Sequence, residues 1–323
     1  MNNTPAMTLP RCLLITPARN EAKNLEKTIL SMIGQTTRPA KWVIVNDGST
    51  DDTPAIIDRY LPDNPWIERF DMPSHKERSF AAKANNFNTA CKVANWLEYD
   101  VIGNIDADVS FEPDFLEFLL TRFAENPSLG CAGTPFLEEG GYDSAKDSFE
   151  GEFYVSGQFQ LFRRECLKDV GGYVPNKAGG VDWIAVTTAR MKGWLTRSFR
   201  EKRFFHHRTL GTAERGPLAA LYSYGEKDYY LGGGPTWQFF RVAYRCAKPP
   251  LLFGGLALGL GYFTASIRRL ERPVSDELMQ FHRREQMKKL KSILGRLLLL
   301  KKLDNFSGLT TAETNAKGPT PRT

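Results

Sequence analysis

Short apolar runs, each closed by a polar or charged loop and separated by a stretch with helical spacing, organise the N-terminal third of this chain. Cys12–Thr16 ends at Pro17, and Trp42–Asn46 (WVIVN) is closed by Asp47-Gly48-Ser49-Thr50. Ile67–Asp71 is a third run, and Val101–Ile105 (VIGNI) leads straight into Asp106. Between them, Leu25, Ile29, Leu30 and Ile33 recur at helical spacing within Lys23–Gly34. Asp51–Tyr60 and residues 80–98 read as two further helices. Strands alternating with helices predict an α/β fold, with a largely parallel sheet covered by helices. Such sheets hold ligands beyond the carboxyl ends of their strands, where these polar loops gather.

The second half is less regular. Phe149–Arg164 alternates loosely, Gly171-Gly172 and Gly179-Gly180 punctuate a loop around Pro175, and Val181–Lys192 reads as a helix opening near Asp182. From Phe306 the chain has almost no apolar content and is expected to be disordered. No internal repeat is present.

Composition excludes a disordered, collagenous or multi-span membrane protein, since 41% of the 323 residues are hydrophobic and 25% charged. The net charge of +6 is unevenly placed. Residues 1–240 hold 27 basic and 31 acidic side chains, whereas residues 241–303 hold 14 basic and 4 acidic ones. A slightly acidic body therefore carries a basic C-terminal stretch. The five cysteines are odd in number and widely spaced, as expected of thiols in a reducing compartment. Nothing at the N-terminus resembles a signal peptide, so a cytoplasmic body is expected.

Asp106-Ala107-Asp108 is the sharpest local feature. Two carboxylates one residue apart at a strand end repel each other and pay for desolvation, so a cation should compensate them. A divalent ion held with substrate phosphates would do so; two solvated loop aspartates are the alternative.

The surrounding motifs point further. Pro17-Ala18-Arg19-Asn20-Glu21 follows the first strand, Asn46-Asp47-Gly48-Ser49-Thr50-Asp51 the second, and Lys83-Ala84-Asn85-Asn86 opens the helix before Asp106-Ala107-Asp108. In this order they resemble the motifs of family 2 glycosyltransferases of the GT-A fold, over roughly residues 11–210. The resemblance implies a Rossmann-like, mostly parallel sheet with helices on both faces. It also implies a metal-dependent, inverting transferase that uses a nucleotide diphosphate sugar and Mg2+ or Mn2+. On that reading Pro17, Ala18 and Glu21 line the nucleotide pocket, and Asp47 accepts a hydrogen bond from the base. Lys83 approaches the nucleotide or its diphosphate, Asp106 faces ribose or donor sugar, and Asp108 holds the metal. Asn46 departs from the aspartate common at its position. For Glu21 and Lys83 a helix-dipole partner and a solvated lysine remain alternatives.

Inversion needs a base to deprotonate the acceptor hydroxyl. The family supplies an aspartate in an E-D-W-like segment, and Asp182 of Gly180-Val181-Asp182-Trp183 fits, with valine replacing the usual acid. An N-cap role is the alternative for Asp182, and a core position for Trp183. Ser156-Gly157-Gln158-Phe159-Gln160 with Arg163-Arg164 resembles the acceptor-side segment, with Gly171-Gly172-Tyr173 as its turn. The two arginines could meet diphosphate or an anionic acceptor, or be a solvated strand end. A late histidine often completes the metal shell; His207 is assigned that role, although a strand puts His206 and His207 on opposite faces. Arg208 and Arg215 could clamp the leaving diphosphate.

The C-terminal stretch carries a different signal. Pro250–Ile267 has no charge, with Arg241, Arg245 and Lys248 before it and Arg268, Arg269 and Arg272 after. Met287, Leu290, Ile293, Leu294, Leu297 and Leu298 then recur at three-and-four spacing among lysines. A membrane-associating helical extension is expected, interfacial or re-entrant, with a single span or a buried helix pair as alternatives. The domains are accordingly an N-terminal tail (1–10), a transferase domain (11–240), a helical extension (241–305) and a disordered tail (306–323). The expected partners are a nucleotide diphosphate sugar, a glycan or lipid-linked acceptor and the inner face of a membrane, without nucleic acid. Cell-surface polysaccharide or glycolipid synthesis would suit them. A degenerate nucleotide-sugar-binding or membrane scaffold protein is the second reading. A nucleotidyltransferase, a third, should have a glycine-rich basic loop after its first strand, which PARNEA is not.

Overall fold

The computed structural model describes residues 8–73, 80–147, 151–176, 178–208 and 216–298. Arg215 and the tail from Phe306 lie outside the described residues, as does most of the N-terminal tail. The chain divides into two compact units on either side of the Arg208–Thr209 bond, whereas the sequence pattern places a boundary at 240.

The first unit opens with the expected alternation: β1 (Cys12–Ala18), α1 (Leu25–Ile33), β2 (Lys41–Asn46), α2 (Thr53–Tyr60), β3 (Ile67–Asp71), α3 (Phe80–Val93) and β4 (Val101–Ile105). α3 stops short of the expected 98 because Asn95 takes a left-handed conformation (φ 51°) and a single 3₁₀ turn, Trp96–Glu98, follows. Next come β5 (Val109–Phe111), α4 (Phe115–Glu125), β6 (Leu129–Gly133), β7 (Phe136–Glu138) and α5 (Ser144–Asp147). β8 (Phe159–Arg163), α6 (Arg164–Val170), α7 (Val181–Met191), β9 (Leu195–Ser198) and β10 (Phe204–His206) complete the unit.

Seven strands form one sheet in the order β3-β2-β1-β4-β8-β6-β9. Only β8 opposes its neighbours, pairing antiparallel with β4 and β6. Strand alternation sends side chains to two cores. Cys12, Leu14, Trp42, Ile44 and Ile105 meet Leu25, Ile29, Ile57 and Phe115 of α1, α2 and α4 on one face. Leu13, Ile15, Val43, Val45 and Ile102 meet Phe87, Cys91, Cys166 and Val186 of α3, α6 and α7 on the other. Both faces are thus dry, which accounts for the near-continuous apolar strands. A second, three-stranded sheet has the order β5-β10-β7.

The second unit comprises α8 (Pro217–Tyr230), α9 (Pro235–Cys246), α10 (Phe253–Ile267) and α11 (Asp276–Leu298). No described helix is long and apolar enough to cross a membrane, so a single span over the Pro250–Ile267 run is set aside. At 15 residues α10 extends about 22 Å, against a hydrocarbon core of about 30 Å. Its glycines, which by propensity weaken a helix, let backbones touch. A Cβ at Gly261 would sit 2.0 Å from the Tyr222 carbonyl oxygen of α8, and one at Gly225 of α8 would sit 2.1 Å from the Leu258 carbonyl oxygen. α11, expected to be amphipathic against a membrane, buries Leu278, His282, Gln286 and Leu290. Its Gln286 Oε1 accepts from Gly234 N (2.8 Å), and Arg283 Nε donates to Gly232 O (3.0 Å).

Gly225→Ala should cost the second unit about 1–3 kcal/mol through overpacking. Amide hydrogen exchange in α8 and α10 checks this; exchange unchanged from wild type would refute the close approach.

Candidate active site

The sheet order puts β2 on one side of β1 and the parallel β4 on the other, so the order in which strands are added reverses at β1. Loops there part and leave a crevice. The β1 and β2 loops are laced together by their polar residues. Asp47 N donates to Ala18 O (2.8 Å), extending the ladder past the strand ends. Asn20 N donates to Ser49 Oγ (3.1 Å), and Thr50 N donates back to Asn20 Oδ1 (2.8 Å). Glu21 N donates to Thr53 Oγ1 (2.8 Å) and Ala22 N to Asp51 Oδ2 (3.1 Å). The buried Asp47 lies 4.0 Å from Arg19 Nη1. Asn46 donates to Asp71 Oδ1 (2.7 Å) and accepts from Ser49 N (3.1 Å). The amide does both, whereas an aspartate there could not donate and would face the charge of Asp71.

The opposite wall starts at Asp106, at the carboxyl end of β4. Lys83, from the first turns of α3, donates to Asp106 Oδ1. Burial works to lower the Lys83 pKa, but Asp106, then Asp182 and Asp108, outweigh it and hold the ammonium above its ordinary value. One cation therefore feels all three carboxylates. Asp108 is buried; desolvation and then Asp106 push its carboxyl up, against the pull of His206, Arg208 and Lys83. Arg208 bridges the walls, with Nη2 donating to Glu21 Oε2 (2.6 Å) and Nε 3.4 Å from Asp108 Oδ2.

The small sheet decides which histidine meets Asp108. β10 pairs His206 with Val109 of β5 and with Glu138 of β7. Phe204 and His206 share a strand face, and both are buried. His206 Nε2 lies 3.5 Å from Asp108 Oδ1, and its Nδ1 lies 3.0 Å from Glu138 Oε1. His207, assigned to the metal from sequence, meets Asp108 through its backbone, N donating to Asp108 O (2.8 Å), while its ring has other partners. Its Nε2 is 2.9 Å from Ser110 Oγ and its Nδ1 3.5 Å from Lys27 Nζ. Burial and then Lys27 lower its pKa.

Asp182 enters from the second half of the unit. Gly180, left-handed at φ 76°, precedes α7, so Asp182 sits in the first helical turn rather than at the N-cap. Its Oδ2 accepts from Tyr154 Oη (2.6 Å) and Gly157 N (3.2 Å). A Cβ on residue 157 would stand 2.6 Å from Asp182 Cβ, so this approach requires glycine. The same segment holds Asp106, whose N donates to Gln158 O (2.9 Å), and Asn104 two residues earlier, whose Nδ2 donates to Gly157 O (2.6 Å). Trp183 is buried. Arg163 and Arg164 are elsewhere: β8 runs antiparallel to β4, so Arg163 pairs with Val101, at the end of β4 away from Asp106. Arg163 donates to the carbonyls of Leu129, Phe123 and Asn126 around the end of α4, and Arg164 pairs with Glu165.

A family model, Glycosyl transferase family 2, matches residues 13–179, just over half of the chain. The chain belongs to glycosyl transferase family 2. This family 2 glycosyltransferase is 29% identical over 126 residues to a chondroitin synthase of Pasteurella multocida (strain Pm70), covering 39% of this chain and 12% of that protein. It is 26% identical over 170 residues to the poly-beta-1,6-N-acetyl-D-glucosamine synthase of Staphylococcus epidermidis, covering 47% of this chain and 39% of that one. The matches thus span well under half the length of these relatives. Among solved structures it shares its fold with a mannosyltransferase from Pyrobaculum calidifontis in complex with GDP-Man and Mn2+, at a TM-score of 0.54 and 20% identity. That likeness covers 91% of this chain and 82% of the other.

Of the residues singled out from sequence in this family 2 glycosyltransferase, Asp106, Asp182 and Asp108 together hold the Lys83 ammonium above its ordinary pKa. Glu21 joins Asp108 through Arg208. Pro17, Ala18 and Asp47 lie at the paired ends of β1 and β2. Sequence reasoning missed Glu138 and Tyr154. Neither lies in a motif, and only the strand register and the fold of the 154–157 segment bring them in. Asp51 offers a test of the laced loops. Partial burial raises its pKa, but hydrogen bonds from Thr53 and Ala22 bring it below its ordinary value. Such a carboxylate stabilises the fold above about pH 4 and loses that contribution as the pH falls through its folded pKa. Asp51→Ala should therefore cost a few tenths to about 1 kcal/mol at neutral pH, given its solvent exposure. Urea unfolding across pH should show that cost vanish in acid; a pH-independent cost would contradict the assignment.

Proposed function

We propose that this protein transfers a sugar, with inversion, from a nucleotide diphosphate sugar to a glycan or lipid-linked acceptor, aided by a divalent metal. The observation that carries this reading is the cluster at the carboxyl end of β4: Lys83 donates to Asp106, Asp108 stands beside His206 and Arg208, and Asp182 is held by the same 157–158 segment that holds Asp106. An excess of carboxylate around a crevice suits a donor that arrives with a metal and leaves as a nucleoside diphosphate.

Among the described residues no group of three or more His, Cys, Asp or Glu side chains is set to hold a metal by itself. Asp108 and His206, 3.5 Å apart, do fit an ion that takes its remaining ligands from diphosphate and water, the usual habit of magnesium and manganese. Asp108 and His206 would hold that ion, with Glu138 fixing the imidazole from behind. When bound, it supplies charge neutralisation of the leaving diphosphate. The mannosyltransferase that shares the fold carries GDP-Man and Mn2+, which supports a donor and ion of this class.

The remaining steps fall to the chain's own groups. Asp47, Pro17, Ala18 and Glu21 would bound the nucleoside end. Asp182 would take the proton of the acceptor hydroxyl as its oxygen bonds to the anomeric carbon. The bond from that carbon to the diphosphate breaks on the opposite side, and Lys83 and Arg208 face the charge left behind. Tyr154 and Gly157 N–H orient the Asp182 carboxylate and leave its other oxygen for the acceptor. Polysaccharide synthesis is the setting suggested by the two synthase relatives.

Asp182→Asn and Asp108→Ala should each reduce transfer or donor hydrolysis by at least about 100-fold. Activity surviving both changes would remove the mechanism and favour a scaffold role. Gly157→Ala should slow turnover by about 100-fold by displacing Asp182, with an unchanged far-UV spectrum. Thermal denaturation with UDP or GDP, each with and without Mn2+, should show a metal-dependent rise for one nucleotide, by about 2.7 kcal/mol at a hundredfold excess over Kd.

A further inference from the structure

α10 of the second unit has two unlike faces. Gly254, Gly255, Leu258, Gly259, Gly261, Tyr262 and Ala265 are buried. On the other side Phe253, Leu256, Leu260 and Ile267 are 67%, 55%, 61% and 83% exposed. They recur at three, four and seven residues, which aligns them along one stripe. The half-buried Phe263 fills the gap in that spacing and packs on Phe239 of α9, with ring centroids 5.3 Å apart; Phe239 is itself exposed. So large a contiguous apolar strip on a described surface marks an interaction site.

Charge indicates the occupant. No acidic residue occurs between Asp228 and Glu271; Arg241 is paired with Asp228, and Arg245, Lys248, Arg268 and Arg269 also fall in that interval. The basic groups sit before and after α10, so both ends of the apolar stripe are positive. A second copy laid along the stripe, parallel or antiparallel, would bring like charges together at each end. An anionic lipid surface accepts both features, with apolar side chains at the acyl boundary and basic ones among the headgroups.

We propose that the exposed stripe of α10 docks this protein flat on an anionic lipid bilayer without crossing it. The proposal stands on the second unit alone and does not depend on the reading of the carboxylate site.

Sedimentation of the full-length protein with phosphatidylglycerol-rich vesicles tests it, with phosphatidylcholine vesicles as control. Wild type should pellet with the anionic vesicles at least tenfold more than with the neutral ones, and release as salt is raised. Leu256→Asp with Leu260→Asp should lose that partitioning at least tenfold, and Arg268→Glu with Arg269→Glu should lose the preference for anionic lipid. All four positions are exposed, so the unfolding midpoint should stay at the wild-type value. Leu260→Ser gives a milder probe of the same stripe should the paired change disturb folding. Absence of vesicle binding by wild type would overturn the proposal, as would equal binding by the variants. A wild-type dimer in size-exclusion chromatography that the Asp pair converts to monomer, without vesicle binding, would assign the stripe to a second copy instead.

Discussion

Two carboxylates leave the buried end of β4 one residue apart, and the surrounding structure answers their charge. Asp108 is taken out of water next to Asp106, a costly placement unless cations stand near. They come from far along the chain: Lys83 from α3, His206 from β10, and Arg208 just beyond it. Arg208 also reaches Glu21, so the same charge balance ties the loop after β1 to the loop after β4.

The small sheet gives that balance its geometry. β5 continues directly from Asp108, and pairing with β10 fixes where the two histidines go. Since Phe204 belongs to the buried aromatic cluster with Phe115, Phe136 and Phe159, period-two alternation brings His206 inward beside Asp108 and Glu138. His207 follows the parity of Phe205, whose ring it touches at 4.9 Å. A slip of one residue in β10 would exchange the two. The aromatic packing of Phe204 thus selects the imidazole at the site.

The second unit relies on a different interaction. Its helices approach closely because Gly225 and Gly261 present no side chain to the facing carbonyls. The apolar residues of α10 that do not take part are left outside. By composition the run from Pro250 to Ile267 is one hydrophobic segment; in the structure its small residues, with Leu258 and Tyr262, form the contact, and Phe253, Leu256, Leu260 and Ile267 form the surface.

The sequence alone determined the β1–β4 half of the sheet and its ligand edge. Apolar runs of strand length, helical spacing between them, and polar loops after each strand leave few other ways to bury the chain. Local chemistry marked Asp106 and Asp108, and the resemblance to family 2 glycosyltransferases marked Asp47, Lys83 and Asp182. What it left open were matters of register and direction. Phe204-Phe205-His206-His207 carries a phenylalanine on each parity, so no pattern distinguishes the two histidines. Arg163 and Arg164 follow a motif-like segment, but the reversed direction of β8 carries them to the far end of the sheet, where Arg163 caps α4. Glu138 and Tyr154 have no signature, because their roles arise from contacts between segments distant in sequence. Local patterns record which residues can form a strand or a helix; only the packed structure fixes which side chains those elements bring face to face.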